Sequence, residues 1–136
     1  MTTLHTTVDS KSGDLKRVRD MVSALERAHA LSAEVVFDLN VVLDELISNI
    51  IKYAYTDDAP HEIRVSLSAA GGVVEVGIED DGKAFDPFAA PEPDLTLPLS
   101  ERPIGGLGVH FVRKLMNEIK YKREDGRNIL FLKKKL

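Results

Sequence analysis

Three polar side chains set into an apolar stretch give the first sign of chemistry. Within VVLDELISNIIKYAY, Val41 to Tyr55, Glu45 and Asn49 are four residues apart and Lys52 follows three later. At about 100° per residue these three stack along one strip of a helix. Val42, Leu43, Leu46, Ile47, Ile50, Ile51, Tyr53 and Ala54 form a broad apolar arc beside it. A carboxylate, a carboxamide and an ammonium in a row beside buried surface can hold a metal ion and a phosphate; they can also be a solvated helix edge. A second group is Gly105-Gly106-Leu107-Gly108, which opens a helical pattern. Bare backbone N–H groups at the positive end of a helix dipole bind phosphate oxygens, although such a cluster can also be a flexible turn. It is not a Walker loop, because no Gly-Lys-Ser/Thr follows, nor a Rossmann fingerprint, because its helix leads into an antiparallel hairpin. The third group is Asp80-Asp81-Gly82 at the end of an apolar strand. Asp80 can accept a hydrogen bond from an amino group while Gly82 lets a ligand approach the backbone; the plain alternative is a turn aspartate.

The elements that must position these groups follow from periodicity. Thr2 to Val8 reads as a weak strand. Ser12 or Asp14 caps a helix whose apolar face is Leu15, Val18, Met21, Val22, Leu25 and Ala28. Ser32 caps the next helix, which runs to about Tyr55 with Glu34 in its first turn. Ile63, Val65 and Leu67 alternate with polar residues in a strand over Glu62–Ala69. Gly71-Gly72 turns it into a partner carrying Val74, Val76 and Ile78. From Pro87 to Pro103 five of the six prolines occur and periodicity is lost, so a long loop is expected there, functional, disordered or a mere surface excursion. Val109, Val112, Leu115, Met116 and Ile119 then share a helical face. Ile119 to Arg123 and Asn128 to Lys134 flank an Asp125-Gly126 hairpin turn. The order β-α-α-β-β-loop-α-β-β predicts an α+β two-layer sandwich, three helices on a mixed, mostly antiparallel sheet.

Composition narrows the class. A chain of 136 residues that is 43% apolar fits one domain with a real core. The formal charge of −4 and the lack of a basic stripe argue against direct nucleic-acid binding. Lys133-Lys134-Lys135 reads as a solubilising chain end. No cysteine is present, which excludes disulfides and thiolate metal sites. Neither a signal-peptide core nor a run of membrane-spanning length appears, so a cytoplasmic protein without membrane contact is expected.

Taken together, the motifs resemble the GHKL ATPase superfamily, with its histidine-kinase-like ATPase fold, and within it the anti-sigma-factor serine/threonine kinases. Glu45-x-x-x-Asn49-x-x-Lys52-x-Ala54 resembles the N box. Asp80-x-Gly82-x-Ala84-Phe85-Asp86-Pro87 resembles the G1 box, with Ala84 where a glycine is usual. Glu101 to Gly108 resembles the G2 box, and Asp125-Gly126-Arg127-Asn128 is similar to the last and weakest one. The resemblance implies one ATP-binding domain over residues 1–136 with an ATP lid at about 87–104. It implies that Asp80 reads the adenine amino group, with Gly82 and Ala84 beside it, and that Asn49 ligates Mg²⁺. Lys52, Arg102, Gly105, Gly106, Leu107 and Gly108 would meet the phosphates of ATP or ADP, Asn128 would complete the nucleotide site, and Glu45 would be the general base. The implied activity is that of a protein serine/threonine kinase and anti-sigma factor, with a sigma factor and a STAS-type anti-anti-sigma protein as partners and a possible homodimer. His110 reads as peripheral. None of the four histidines lies in a phosphoacceptor helix, so a complete two-component histidine kinase is not expected. Two alternatives stay open: an ATP-binding module that transfers nothing, and the detached ATP-binding domain of a histidine kinase.

Overall fold

Strands form where apolar and polar residues alternate, and helices where apolar residues recur every three or four. The computed structural model describes residues 1–89, 96 and 107–136. The elements are β1 (Thr2–Asp9), α1 (Lys16–His29), α2 (Ala33–Tyr53), β2 (Glu62–Ala70), β3 (Val73–Asp80), α3 (Leu107–Leu115), β4 (Glu118–Glu124) and β5 (Arg127–Lys135). The strands make one sheet in the order β1-β2-β3-β5-β4. Every neighbouring pair is antiparallel, so the sheet is not mixed. The last hairpin enters beside β3 through β5, which leaves β4 at the edge.

Turn chemistry sets the register. Gly71 and Gly72 both take positive φ, 57° and 77°, as do Asp125 and Gly126 at 52° and 74°. Two consecutive left-handed residues make the hairpin turn whose twist matches the flanking strands. Ala70 therefore faces Val73, and Glu124 faces Arg127. The period of two then points Ile63, Val65, Leu67, Val74, Val76, Ile78, Leu130 and Leu132 to one face, where all are buried.

That face is covered by α1, which lies closest to β1 and β2, and by the buried face of α2. Ser32 Oγ accepts a hydrogen bond from Val35 N at 3.2 Å and starts the helix. Leu39, Val42, Leu43, Leu46 and Ile47 have no solvent exposure, each contributing about 1.5–3 kcal/mol of hydrophobic stabilisation. Tyr53, placed on the apolar arc by spacing, is instead 44% exposed and packs against the Phe85 ring at 5.6 Å. Neither Ser12 nor Asp14 caps α1: the N-cap is Leu15 without a side-chain cap, and Asp14 Oδ1 accepts from Lys16 N at 2.9 Å just ahead of it. Ile119 leaves the helical face of α3 and pairs with Leu132 in the sheet.

The terminal lysines are not a mere solubilising tail. Lys134 points inward, donating to Leu115 O at 2.8 Å and pairing with Asp38 Oδ2 at 3.2 Å. One ammonium thus ties β5 to the end of α3 and to α2, with both charged side chains nearly excluded from water.

Candidate functional site

Glu45, Asn49 and Gly108 meet at one end of the α2 edge. Asn49 Nδ2 donates to Glu45 Oε1 at 3.0 Å, the contact that a four-residue spacing allows. The amide oxygen of Asn49 is left to accept or to ligate. The first turn of α3 rests on the same carboxylate: a Cβ added to Gly108 would lie 2.2 Å from both Cδ and Oε1 of Glu45. Gly108 is therefore required by close approach. The half-buried Glu45 carboxylate sits against the N-terminal turn of α3, where backbone N–H groups lack helical partners. Lys52 lies further along α2, exposed.

Asp80 is held at the other end of that edge. It ends β3 with 1% exposure, and burial pushes its carboxyl above the ordinary value of 3.8 against the opposing pull of its hydrogen bonds. Gly82 N and Asn128 Nδ2 each donate to Asp80 Oδ1 at 2.9 Å, so both bonds fall on one carboxylate oxygen. Asn128, 2% exposed, also donates to Lys83 O at 2.8 Å and accepts from Phe85 N at 3.1 Å and Tyr121 Oη at 2.6 Å. Its side chain is fully engaged in shaping the loop after β3. Arg123 Nη1 donates to Gly82 O at 2.7 Å. Gly82 is a glycine because a Cβ would come within 2.5 Å of Ala54 O; the space it saves admits the end of α2. Lys83 N donates to that same carbonyl at 2.9 Å. Ala84 is exposed.

A further cluster braces this loop from the side and carries no recognisable sequence spacing. Tyr55 Oη donates to Asp81 Oδ1 at 3.0 Å, and the His61 ring stacks on Tyr55 at 4.3 Å and 11°. His61 Nε2 lies 2.8 Å from Asp57 and Nδ1 lies 3.5 Å from Asp81. The Asp57 bond raises the His61 pKa above 6.5, and the same bond lowers that of Asp57. Burial, then Asp81, drive the Tyr55 hydroxyl well above its usual range, so it remains a donor. Tyr121 and Arg123 escaped sequence reasoning too, because only strand pairing brings β4 beside the loop after β3.

Of the expected lid, Pro87 is buried, and Phe88 lies under the Arg113 guanidinium, which also donates to Phe88 O. Arg102, Gly105, Gly106 and most of the lid lie outside the described residues. So does the side chain of Leu107. His110, read as peripheral, is buried at 8% with Nδ1 unpartnered among the described residues. No group of three or more acidic, histidine or cysteine side chains is placed to hold a metal among the described residues. No helix there is long and apolar enough to cross a membrane.

Residues 8–134 match the histidine kinase-like ATPase domain family. The serine/threonine-protein kinase BtrW of Bordetella bronchiseptica is 36% identical over 101 residues, 74% of this chain and 71% of that protein. The serine-protein kinase RsbW of Bacillus thuringiensis is 26% identical over 105 residues, covering 71% of this chain and 62% of RsbW. Among solved structures, the RsbU and RsbW domains of Rv1364c from Mycobacterium tuberculosis superpose on all of this chain with a TM-score of 0.69 at 18% identity. The chain spans only 33% of that structure's length. The fold, the order of the boxes and these likenesses agree: the chain belongs to the histidine kinase-like ATPase domain family, beside the protein kinases BtrW and RsbW.

Proposed function

We propose that this protein is an ATP-dependent protein serine/threonine kinase that acts as an anti-sigma factor and phosphorylates a STAS-type anti-anti-sigma partner. The observation that carries the reading is the pairing of two acidic centres along α2. Gly82, whose N–H bonds Asp80, lies against Ala54, whereas Gly108 lies against Glu45 nine residues back, about 13 Å along the helix. That separation suits a nucleoside triphosphate with its base at Asp80 and its γ-phosphate at Glu45. Both oxygen-bound donors of Asp80 use Oδ1, leaving Oδ2 to accept from the adenine amino group. Asn128 acts through Asp80 as a positioning residue.

Mg²⁺ fits what is present. With no cluster of anionic ligands among the described residues, a cation here would keep several waters and take most of its charge from phosphates, as Mg²⁺ does. The free amide oxygen of Asn49 would hold it, and its chemistry would be to neutralise charge on the phosphates during transfer. Glu45 accepts the proton of the substrate serine hydroxyl; the serine oxygen bonds to the γ-phosphorus as the γ-phosphorus–bridging-oxygen bond breaks, and ADP leaves. Lys52 and Arg102 add positive charge. Phosphoryl transfer depends mostly on positioning and electrostatics, and a Glu45 held by Asn49 and Gly108 is positioned. This restraint favours the kinase over a silent binding module, which needs no fixed base.

Glu45→Gln tests the reading because it keeps shape and hydrogen bonding but accepts a proton poorly. ATP affinity should change by less than about threefold, while transfer to the cognate serine falls by roughly 10²–10⁴, with Mg²⁺ titrated in both proteins. Unchanged transfer would remove Glu45 from the chemistry. Parallel loss of binding and transfer would make it a structural or metal-site residue.

A further inference from the structure

Between α2 and α3 runs a groove of about 600 Å³ whose walls include Phe37, Val41, Glu45, Gly108, Phe111 and Leu115. Phe37 is 67% exposed and Phe111 52% exposed. The other exposed large apolar residues among those described are Met1 and Leu136 near the chain ends and Tyr53, which packs on Phe85. Phe111 meets the ring of its neighbour His110 at 5.9 Å and still stands half in solvent, and among the described residues it and Phe37 are the exposed rings that line one groove. Contiguous exposed apolar surface of this kind marks a place where another molecule binds.

We propose that the groove seats the segment of the protein substrate that bears the phosphoacceptor serine, a segment with an apolar side chain near the serine and neutral or basic flanks. The proposal rests on the kinase reading given above. Position supplies the first argument: Glu45 forms part of the groove wall, so a serine lying in it meets the base. Asp80 lies at the far end of α2, so the adenine does not compete for the space. Charge supplies the second. Among the described residues, Asp38, Asp44 and Glu45 line the groove and no basic residue does. Asp38 is neutralised by Lys134 at 3.2 Å and Asp44 by Arg19 at 2.8 Å, whereas Glu45 is held by the uncharged amide of Asn49. An acidic segment is repelled by that carboxylate, and an apolar one with neutral or basic flanks complements it. Exposed aromatic rings such as these are enriched in the cores of protein interfaces.

The test uses the whole chain, ATP with Mg²⁺, and the STAS-type proteins encoded in the same genome as substrates. Phe37 and Phe111 are exposed, so the double variant F37A/F111A should fold with an unchanged thermal transition. KM for the phosphorylated STAS protein should rise by about tenfold or more, with kcat and ATP affinity within about threefold of the wild type. A variant with Lys at Ser48, S48K, which places a positive charge on the groove lining, should raise KM for substrates with basic flanks more than for those with acidic flanks. An unchanged KM in F37A/F111A overturns the groove and leaves the kinase reading intact. ATP affinity that falls as KM rises also overturns it, because the groove is then covered by the protein's own nucleotide-binding segment. A wild-type chain that phosphorylates none of these proteins overturns the kinase reading itself, and the groove with it.

Discussion

Asp80 is a carboxylate kept almost dry by its fold, and that placement has a cost in the free protein. Because its folded pKa lies above the unfolded 3.8, the native state binds the proton more tightly than the unfolded chain. Stability is then greatest with Asp80 protonated, and it declines as pH rises from the unfolded value through the folded one. Asp80→Asn keeps an oxygen for Gly82 N and Asn128 Nδ2 and removes the buried charge. The variant should therefore melt at or above the wild-type temperature near neutral pH, with the advantage shrinking toward about pH 4. Nucleotide binding should move the opposite way: an amide presents N–H where adenine also offers N–H, so ATP affinity should fall roughly 10- to 100-fold. Calorimetry of ATP against GTP, with melting curves on the same samples, checks both. Equal wild-type affinity for the two nucleotides would remove Asp80 from base recognition.

Among elements, the junction of α2, α3 and β5 is held by a salt bridge as well as by packing. Lys134 serves Asp38 and the last-turn carbonyl of α3 at once, and Asp38 is only 8% exposed. Lys134→Ala leaves that carboxylate without its partner in a largely dry place, so unfolding free energy should drop by about 2–4 kcal/mol. Adding Asp38→Ala should recover part of the loss, because the stranded charge is gone. A double-mutant cycle from urea denaturation measures this. Purely additive losses would mean that the lysine acts through its alkyl chain and the Leu115 carbonyl alone. Since α3 carries Gly108 against Glu45, the same variant should loosen the candidate site as well as the core.

For the whole molecule, the loop from α2 to β2 is pinned to the turn after β3 by Asp57, His61, Tyr55 and Asp81. The His61 pKa is raised, so its contribution to stability is fully present below its unfolded value of 6.5 and is lost as pH rises through the folded value. The Asp57 pKa is lowered from 3.8, so its contribution is present above that value and is lost as pH falls through the folded one. The pair therefore works best between these limits, in the mildly acidic range. Comparing the wild type with His61→Gln from about pH 5 to about pH 9 should show a melting-temperature gap that narrows as pH rises. A gap independent of pH would assign His61 to stacking on Tyr55 rather than to charge.

Local physics made much of this readable beforehand. Two hairpins follow from Gly71-Gly72 and Asp125-Gly126 because the left-handed backbone each turn needs is a property of those residues themselves. The length and buried face of α2 follow from its spacing, and the box residues follow from residue types in order along the chain. Periodicity could not say that β5 enters between β3 and β4, because pairing order depends on which apolar faces meet in three dimensions. That order carries Asn128 to Asp80, 48 residues away, where its amide braces the carboxylate proposed to read the adenine. Packing alone decided that Lys134 points inward and that Tyr53 stays outside. Both glycines were singled out for chemistry, yet Gly82 and Gly108 are required because Ala54 and the Glu45 carboxylate come too close for any Cβ. Spacing along a chain determines which side chains share a face, but only tertiary contact determines what that face is pressed against.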